Sequence, residues 1–396
     1  MTSAKQFATA TLIGLSSLCA AGAVSAQSSL TITPIAEGLE APWGIAPMPD
    51  GGLLVTEKAG RLIYQKDGAR HEVSGLPEVA VVGQGGLLDI TLAEDFAQSR
   101  LLFLTYAKPQ EGGGAGTALA SARLSEDARS LENLTELFAM KPGSNGGQHF
   151  GSRVVEAPDG TLLLTIGERG DRPAAQDRST HNGSIIRVNR DGSVPDDNPF
   201  VDMPDVLPEI WSYGHRNPQG AGLDLEGRLW VSEHGAKGGD EVNRITKGTN
   251  YGWPVISYGE HYSGAKIGEG TSKEGMAQPE FYWDPSIAPA GLVVYSGAQF
   301  PEWEGDIFVG SLKFDYIARL SGDPLEEVQQ IKTAETARVR VHLRGQWHRL
   351  QDHALTLRRA AGWIGCRARD RAWFDNAPGS IWRNARAKQS RRPAPR

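Results

Sequence analysis

A turn carrying Asp-Gly or an equivalent, followed by an apolar strand, recurs five times along this 396-residue chain. The copies are Pro49-Asp50-Gly51-Gly52 before Leu53–Glu57, Asp95–Arg100 before Leu101–Tyr106, and Pro158-Asp159-Gly160 before Thr161–Ile166. Two more follow, Leu225-Glu226-Gly227 before Arg228–Glu233 and Trp303-Glu304-Gly305-Asp306 before Ile307–Leu312. In the first copy the chain returns through Arg61-Leu62-Ile63-Tyr64, with Ala59-Gly60 at the hairpin turn. Spacings of roughly 45 to 80 residues suit four-stranded blades carrying variable loops. No long helical segment is visible, and 48 Gly, 23 Pro and 10 Trp fit many short strands joined by tight turns. The expected fold is all-β, a six-bladed β-propeller, since five copies by residue 312 call for one more.

The two ends differ from the rest. Lys5 precedes a mildly apolar run that ends at Val24-Ser25-Ala26, the pattern of a secretory signal over residues 1–26 with cleavage near Ala26. A periplasmic or secreted location is therefore expected. Leu18 before Cys19 is too large for a lipidation site, and Cys366 alone remains after cleavage, so no internal disulfide is expected. No later apolar run is long enough to span a bilayer. From Val341 onward there are 12 Arg and one Lys against three Asp, about +10, which leaves about −16 for residues 1–340.

The sixth turn-strand copy should begin near residues 340–355, and the sequence there, Arg344-Gly345-Gln346-Trp347-His348-Arg349, has neither the turn nor the alternation. A genuine basic extension or a shifted reading frame would each produce such a tail. The coincidence of the charge break with the missing copy favours the shifted frame, giving a propeller over 27–340 and an aberrant tail over 341–396. On that reading the last blade is incomplete or disrupted. An unclosed ring would leave sheet edges and apolar faces exposed and would weaken folding or cofactor binding. Nucleic acid is not an expected partner, because the tail is the only basic region.

One segment carries chemistry at a strand end. Gln148-His149-Phe150-Gly151-Ser152-Arg153 leads into an apolar strand, the Pro158-Asp159-Gly160 turn, and a second strand that ends in Ile166-Gly167-Glu168. If the two strands are antiparallel neighbours, His149 and Glu168 come to the same sheet edge. An imidazole beside a carboxylate is how a general base is oriented. An isolated histidine near a turn is more often a surface residue, so the rest of the chain decides.

The chain resembles the soluble PQQ-dependent sugar dehydrogenases, most closely the periplasmic aldose sugar dehydrogenases. The matching stretches are Gly83–Asp89, Gln148–Arg153, Ile166-Gly167-Glu168, Pro195–Phe200, Glu209–Gly220, Glu233–Asn243, Asn250–Pro254 and Ser311-Leu312-Lys313, in that order. The resemblance implies a six-bladed propeller that holds pyrroloquinoline quinone (PQQ) and Ca2+ and oxidises the anomeric C1 hydroxyl of an aldose to a lactone. His149 would remove the hydroxyl proton while hydride leaves C1 for the quinone. Glu168 would fix the imidazole, and Arg216 would face the quinone carbonyls. A mid-strand arginine is otherwise most often solvated or salt-bridged.

For the cofactor, the resemblance implies contacts from Gln84, Asn217, Lys313, Arg338 and Arg340, the cations facing its carboxylates. Backbone carbonyls of Gly235 and Ala236 would bind the calcium on PQQ, with Ala236 standing where most relatives have proline. A structural calcium near Glu241 and Tyr251 is a further expectation. The partners are then a small aldose and an electron acceptor, quinone or cytochrome, that the sequence does not specify. Two other classes fit the fold alone. A calcium-dependent propeller lactonase would have no use for Arg216 and Lys313, and a non-catalytic binding propeller would have no need of His149.

Overall fold

The computed structural model of the chain describes residues 35–111 and 113–332. Within them, consecutive strands pair antiparallel into five four-stranded sheets. Blade one holds β1 (Pro42–Pro47), β2 (Leu53–Glu57), β3 (Arg61–Lys66) and β4 (Ala69–Val73), and blade two holds β5 (Leu87–Leu92), β6 (Leu101–Pro109), β7 (Ala115–Leu124) and β8 (Leu131–Ala139). Blade three holds β9 (Val154–Glu156), β10 (Leu162–Thr165), β11 (Ser184–Val188) and β12 (Ile210–Tyr213). Blade four holds β13 (Pro218–Leu223), β14 (Leu229–Glu233), β15 (Asp240–Arg244) and β16 (Phe281–Trp283). Blade five holds β17 (Pro289–Val294), β18 (Ile307–Ser311), β19 (Tyr316–Ser321) and β20 (Glu326–Lys332).

The all-β propeller expected from the repeats is observed, with five blades among the described residues. The expected signal over 1–26, the tail over 341–396, the disrupted sixth blade, Arg338 and Arg340 lie outside them. Each sequence repeat is the link from the first to the second strand of a blade. Gly51, Gly160, Gly227 and Gly305 hold φ between +78° and +85° there, which side chains with a Cβ rarely adopt. Blade two makes the same link with a one-turn helix, Phe96–Ser99, ended by Arg100 in the left-handed region.

Core is laid between sheets. Leu102 and Leu104 face blade one with Leu54, Leu87 and Ile90, while Phe103 between them faces blade three with Val154, Leu162 and Leu164. This is the period of two expected of strands buried on both faces. The first strands pack in succession, β1 on β5, β5 on β9, β9 on β13 and β13 on β17.

Buried hydroxyls stitch neighbouring blades together. Pairing of β1 with β2 and of β5 with β6 is broken by a register shift, which leaves the Gly44 and Asp89 N–H groups without ladder partners. Thr56 Oγ1 accepts from Gly44 N–H at 2.8 Å and donates to the Leu88 carbonyl of the next blade. Thr105 Oγ1 accepts from Asp89 N–H and donates to the Ser152 carbonyl, both at 2.8 Å. Thr165 Oγ1 repeats the pattern with Arg153 N–H and the Pro218 carbonyl, each at 2.9 Å.

Arg153, immediately before β9, joins all five first strands. Its buried guanidinium donates to Asp89 Oδ1 on β5 at 2.8 Å, to the Gln219 carbonyl on β13 at 2.7 Å and to the Ala290 carbonyl on β17 at 3.2 Å. It also lies 4.3 Å from the ring centroid of Trp43 on β1. The starts of the first strands and the ends of the second strands are thereby fixed at one end of the propeller, opposite the repeated turns.

Candidate active site

At that end stand His149, before β9, and Glu168, after β10. The two strands pair antiparallel with Leu164 opposite Val154, so the expected hairpin is present. His149 Nδ1 lies 2.7 Å from Glu168 Oε1. The other carboxylate oxygen accepts the Gly170 N–H. With Nδ1–H donating to the carboxylate, the lone pair is on Nε2, the atom left to take a proton. Burial and the positive charge of Arg216 push the His149 pKa below that of an ordinary imidazole, against the pull of Glu168. Burial alone would raise the pKa of Glu168, but the hydrogen bond and charge of His149, with Arg216 behind them, hold it below the usual carboxylate range.

Three non-glycine residues around this pair are in the left-handed region: His149 at φ +55°, Ser152 at +83° and Arg169 at +60°. Each costs about 1 kcal/mol or more and persists only because its surroundings impose it. Gly167 shows how close the packing is, since a Cβ there would meet the His149 carbonyl oxygen at 2.1 Å.

Arg216 is not mid-strand as the sequence suggested. Gly214, at φ +79°, ends β12, and Arg216 and Asn217 form the short entry to β13. Glu233, at the end of β14, holds this entry: Oε2 accepts the Arg216 N–H at 2.8 Å, while Oε1 accepts from His215 Nδ1 and Asn243 Nδ2, each at 3.0 Å. Ser212 Oγ completes the row, 3.0 Å from His215 Nε2. Ser212, His215 and Glu233 have the composition of a hydrolase triad but are buried, and here they brace Arg216. The Arg216 side chain donates from Nη1 to the His234 carbonyl at 3.1 Å and lies 5.2 Å from the Trp253 ring centroid.

Gln84 and Asn217 reach the same place by a route the sequence did not indicate. Gln84 Oε1 accepts the His149 N–H at 2.8 Å, and Asn217 Oδ1 accepts the Gly151 N–H at 3.2 Å. Both amides therefore dock the loop carrying His149 through their oxygens. Lys313, past the end of β18, donates to the Ser286 carbonyl at 3.1 Å and has no carboxylate partner among the described residues.

Gly235 and Ala236 belong to a turn fixed by Asp240. Its Oδ1 accepts the Gly235 N–H at 2.8 Å, and Oδ2 accepts from Ser286 Oγ and from the Ile287 and Ala288 N–H groups. Only glycine fits at 235, where a Cβ would sit 2.2 Å from the Gly238 carbonyl oxygen. Glu241 and Tyr251 are not joined by any described contact. Tyr251 stacks on His215 at 4.7 Å and spends its hydroxyl on Arg244 and Thr246. Burial and the nearby Glu233 carboxylate push the Glu241 pKa up to about 8. No cluster of three or more His, Cys, Asp or Glu in metal-binding arrangement occurs among the described residues.

The Pro195–Phe200 motif proves structural. Asp197 and Asn198 both accept from the Arg187 guanidinium, at 2.6 and 3.2 Å, which also reaches Asp159. Sequence reasoning missed Arg169, Glu233 and Trp253. Glu233 had a signal in the repeats, where Val55-Thr56-Glu57 and Val231-Ser232-Glu233 share a hydroxyl and a carboxylate at the end of the second strand.

The blades thus converge on an imidazole oriented by a carboxylate beside a buried arginine, a constellation able to accept a proton at His149 Nε2. Residues 39–346 match the family model of Glucose / Sorbosone dehydrogenase, and the chain belongs to that family of oxidoreductases. It is 40% identical over 332 residues to aldose sugar dehydrogenase YliI of Escherichia coli, covering 82% of this chain and 90% of that one. The crystal structure of the soluble Escherichia coli aldose sugar dehydrogenase in its apo-form superposes with a TM-score of 0.74 over 76% of this chain and 90% of that chain, at 40% identity. The PQQ-bound form of the Streptomyces coelicolor aldose sugar dehydrogenase gives 0.63 over 74% and 81%, at 29% identity.

Proposed function

We propose that this chain is an exported quinoprotein that oxidises the anomeric C1 hydroxyl of aldose sugars to lactones, with PQQ and Ca2+ as cofactors. The observation that carries the reading is the His149–Glu168 pair at 2.7 Å beside the Arg216 charge. His149 Nε2 accepts the hydroxyl proton, and Glu168 faces the imidazolium that results. A low imidazole pKa keeps the base neutral and ready below neutral pH. When bound, the quinone supplies the two-electron acceptor for the hydride leaving C1. Arg216 presents fixed positive charge where negative charge develops.

The polar groups of the site suit a planar ligand rich in carbonyls and carboxylates. Arg216 Nε and Trp253 Nε1 are buried donors with no partner among the described residues. With their oxygens holding the loop, the amides of Gln84 and Asn217 have NH2 groups with no partner among the described residues. Lys313 adds a cation with no carboxylate partner among the described residues. The PQQ-bound relative supports the assignment. Gly235 and Ala236 would offer backbone carbonyls to calcium, and a second calcium beside Glu241 would replace the proton that this carboxylate otherwise keeps. A six-bladed ring fits the apolar cluster of Val293, Phe308 and Ile331 with Trp303, on the opposite side of blade five from Leu292 and Val309, which face blade four. The tail over 341–396 is read as a shifted frame.

The test is reconstitution of the purified chain with PQQ and Ca2+, followed by aldoses with an artificial electron acceptor, and separately by lactones. Dye bleaching with aldoses is the expected result. Lactone hydrolysis without dye reduction would overturn the assignment.

A further inference from the structure

Arg169 is the largest fully buried side chain among the described residues, 1% exposed, and it faces carbonyls instead of an acid. Nη2 donates to the Gly146 carbonyl at 2.8 Å and the Ala115 carbonyl at 3.3 Å, and Nη1 donates to the Gln148 carbonyl. The guanidinium carbon lies over the Phe150 ring, 3.3 Å from its centroid. The carbonyl of Arg169 itself accepts from Ser144 Oγ at 3.3 Å. Between the Gly146 and Gln148 carbonyls, that of Gly147 is taken by the Gln84 N–H at 2.6 Å. Three successive carbonyls leading to His149 are thus held from outside the loop, in a segment with no helix or strand of its own.

We propose that Arg169 is a positioning residue for His149, clamping residues 146–148 so that the imidazole is presented in its left-handed backbone conformation. The inference rests on the reading of His149 as the base. Only a planar fork can span carbonyls two residues apart while stacking on the ring that follows them; a lysine carries the charge without the fork. Burial pushes the Arg169 pKa down to about 9 despite the neighbouring Glu168, so the cation is kept at a cost. Its charge also lies near enough to His149 to oppose imidazolium formation.

The test uses Arg169→Lys and Arg169→Met in the full chain. Amide hydrogen exchange over residues 144–150 is expected to rise at least about tenfold in both, with β9 and β10 unchanged. On the loaded enzyme kcat is expected to fall about 10- to 100-fold, the scale of a misplacement of about 1 Å, with KM for the aldose nearly constant. The His149 titration followed by NMR should move to higher pH in Arg169→Met and stay in place in Arg169→Lys. Should Arg169→Met not fold, the Lys variant decides through exchange and kcat. Unchanged exchange over 144–150, or exchange raised equally in β9 and β10, overturns the proposal. Exchange and titration need neither cofactor nor sugar, so an inactive wild type would refute the dehydrogenase reading and leave the clamp still tested.

Discussion

His149 Nδ1 and Glu168 Oε1 are 2.7 Å apart, with the carboxylate 1% exposed and the imidazole 15% exposed. One carboxylate oxygen is therefore committed to the ring, and Nε2 is left as its open nitrogen, the atom that acts as the base in the proposed reaction. In Glu168→Gln the amide can present either a donor or an acceptor to Nδ1, so the tautomer is no longer fixed. The rate of aldose oxidation should fall about 10²- to 10⁴-fold. The sign of the pH effect follows from the groups present. Burial and Arg216 depress the His149 pKa and Glu168 opposes them. The acidic limb of kcat/KM should thus lie below about pH 6.5 in the wild type and move lower still in Glu168→Gln.

The hydroxyl stitches predict a local cost. Thr105→Val keeps the shape but strands the Asp89 N–H and the Ser152 carbonyl in the interior. Urea unfolding should show a loss of about 1–3 kcal/mol, against less than about 0.5 kcal/mol for the exposed control Thr135→Val.

Arg153 predicts a larger one. Arg153→Met would leave the Asp89 carboxylate buried without its guanidinium and two carbonyls on β13 and β17 without a donor. A loss of about 3–5 kcal/mol is expected, measured as a shifted urea midpoint with loss of PQQ binding.

Much of this was legible in the sequence, and the parts that were not share a cause. Turn chemistry and strand alternation are local, so the repeats marked the inner hairpin of all five described blades, and the His149–Glu168 hairpin followed from the same signal. Arg153 left no trace because its partners are a carboxylate 64 residues away and main-chain carbonyls 66 and 137 residues away. Carbonyls have no sequence signature. Arg169 escaped for the same reason, and Arg216 was placed mid-strand because Gly214 was not read as the end of β12. Gln84 and Asn217 were expected to meet the cofactor, and the structure shows their oxygens turned to the His149 and Gly151 N–H groups.

Glu241 predicts a pH dependence of opposite sign to an ordinary salt-bridged acid. Its folded pKa, about 8, is above the 4.5 of an ordinary glutamate, so the folded state binds the extra proton. Stability from this group is complete below pH 4.5 and is lost as pH rises through 8. In EDTA, Glu241→Gln should therefore gain on the wild type between pH 5 and pH 8, by about 1–3 kcal/mol, read from urea midpoints. Added Ca2+ should narrow the gap by binding the wild-type carboxylate.

The central claim is that His149 takes the proton from the sugar. With PQQ and Ca2+ in excess, single-turnover reduction of the bound quinone by an aldose, followed by absorbance, tests it without any electron acceptor. The expected result is rapid reduction in the wild type and a rate lower by about 10²- to 10⁴-fold in His149→Ala, with PQQ still bound. Reduction by His149→Ala at the wild-type rate would contradict the account.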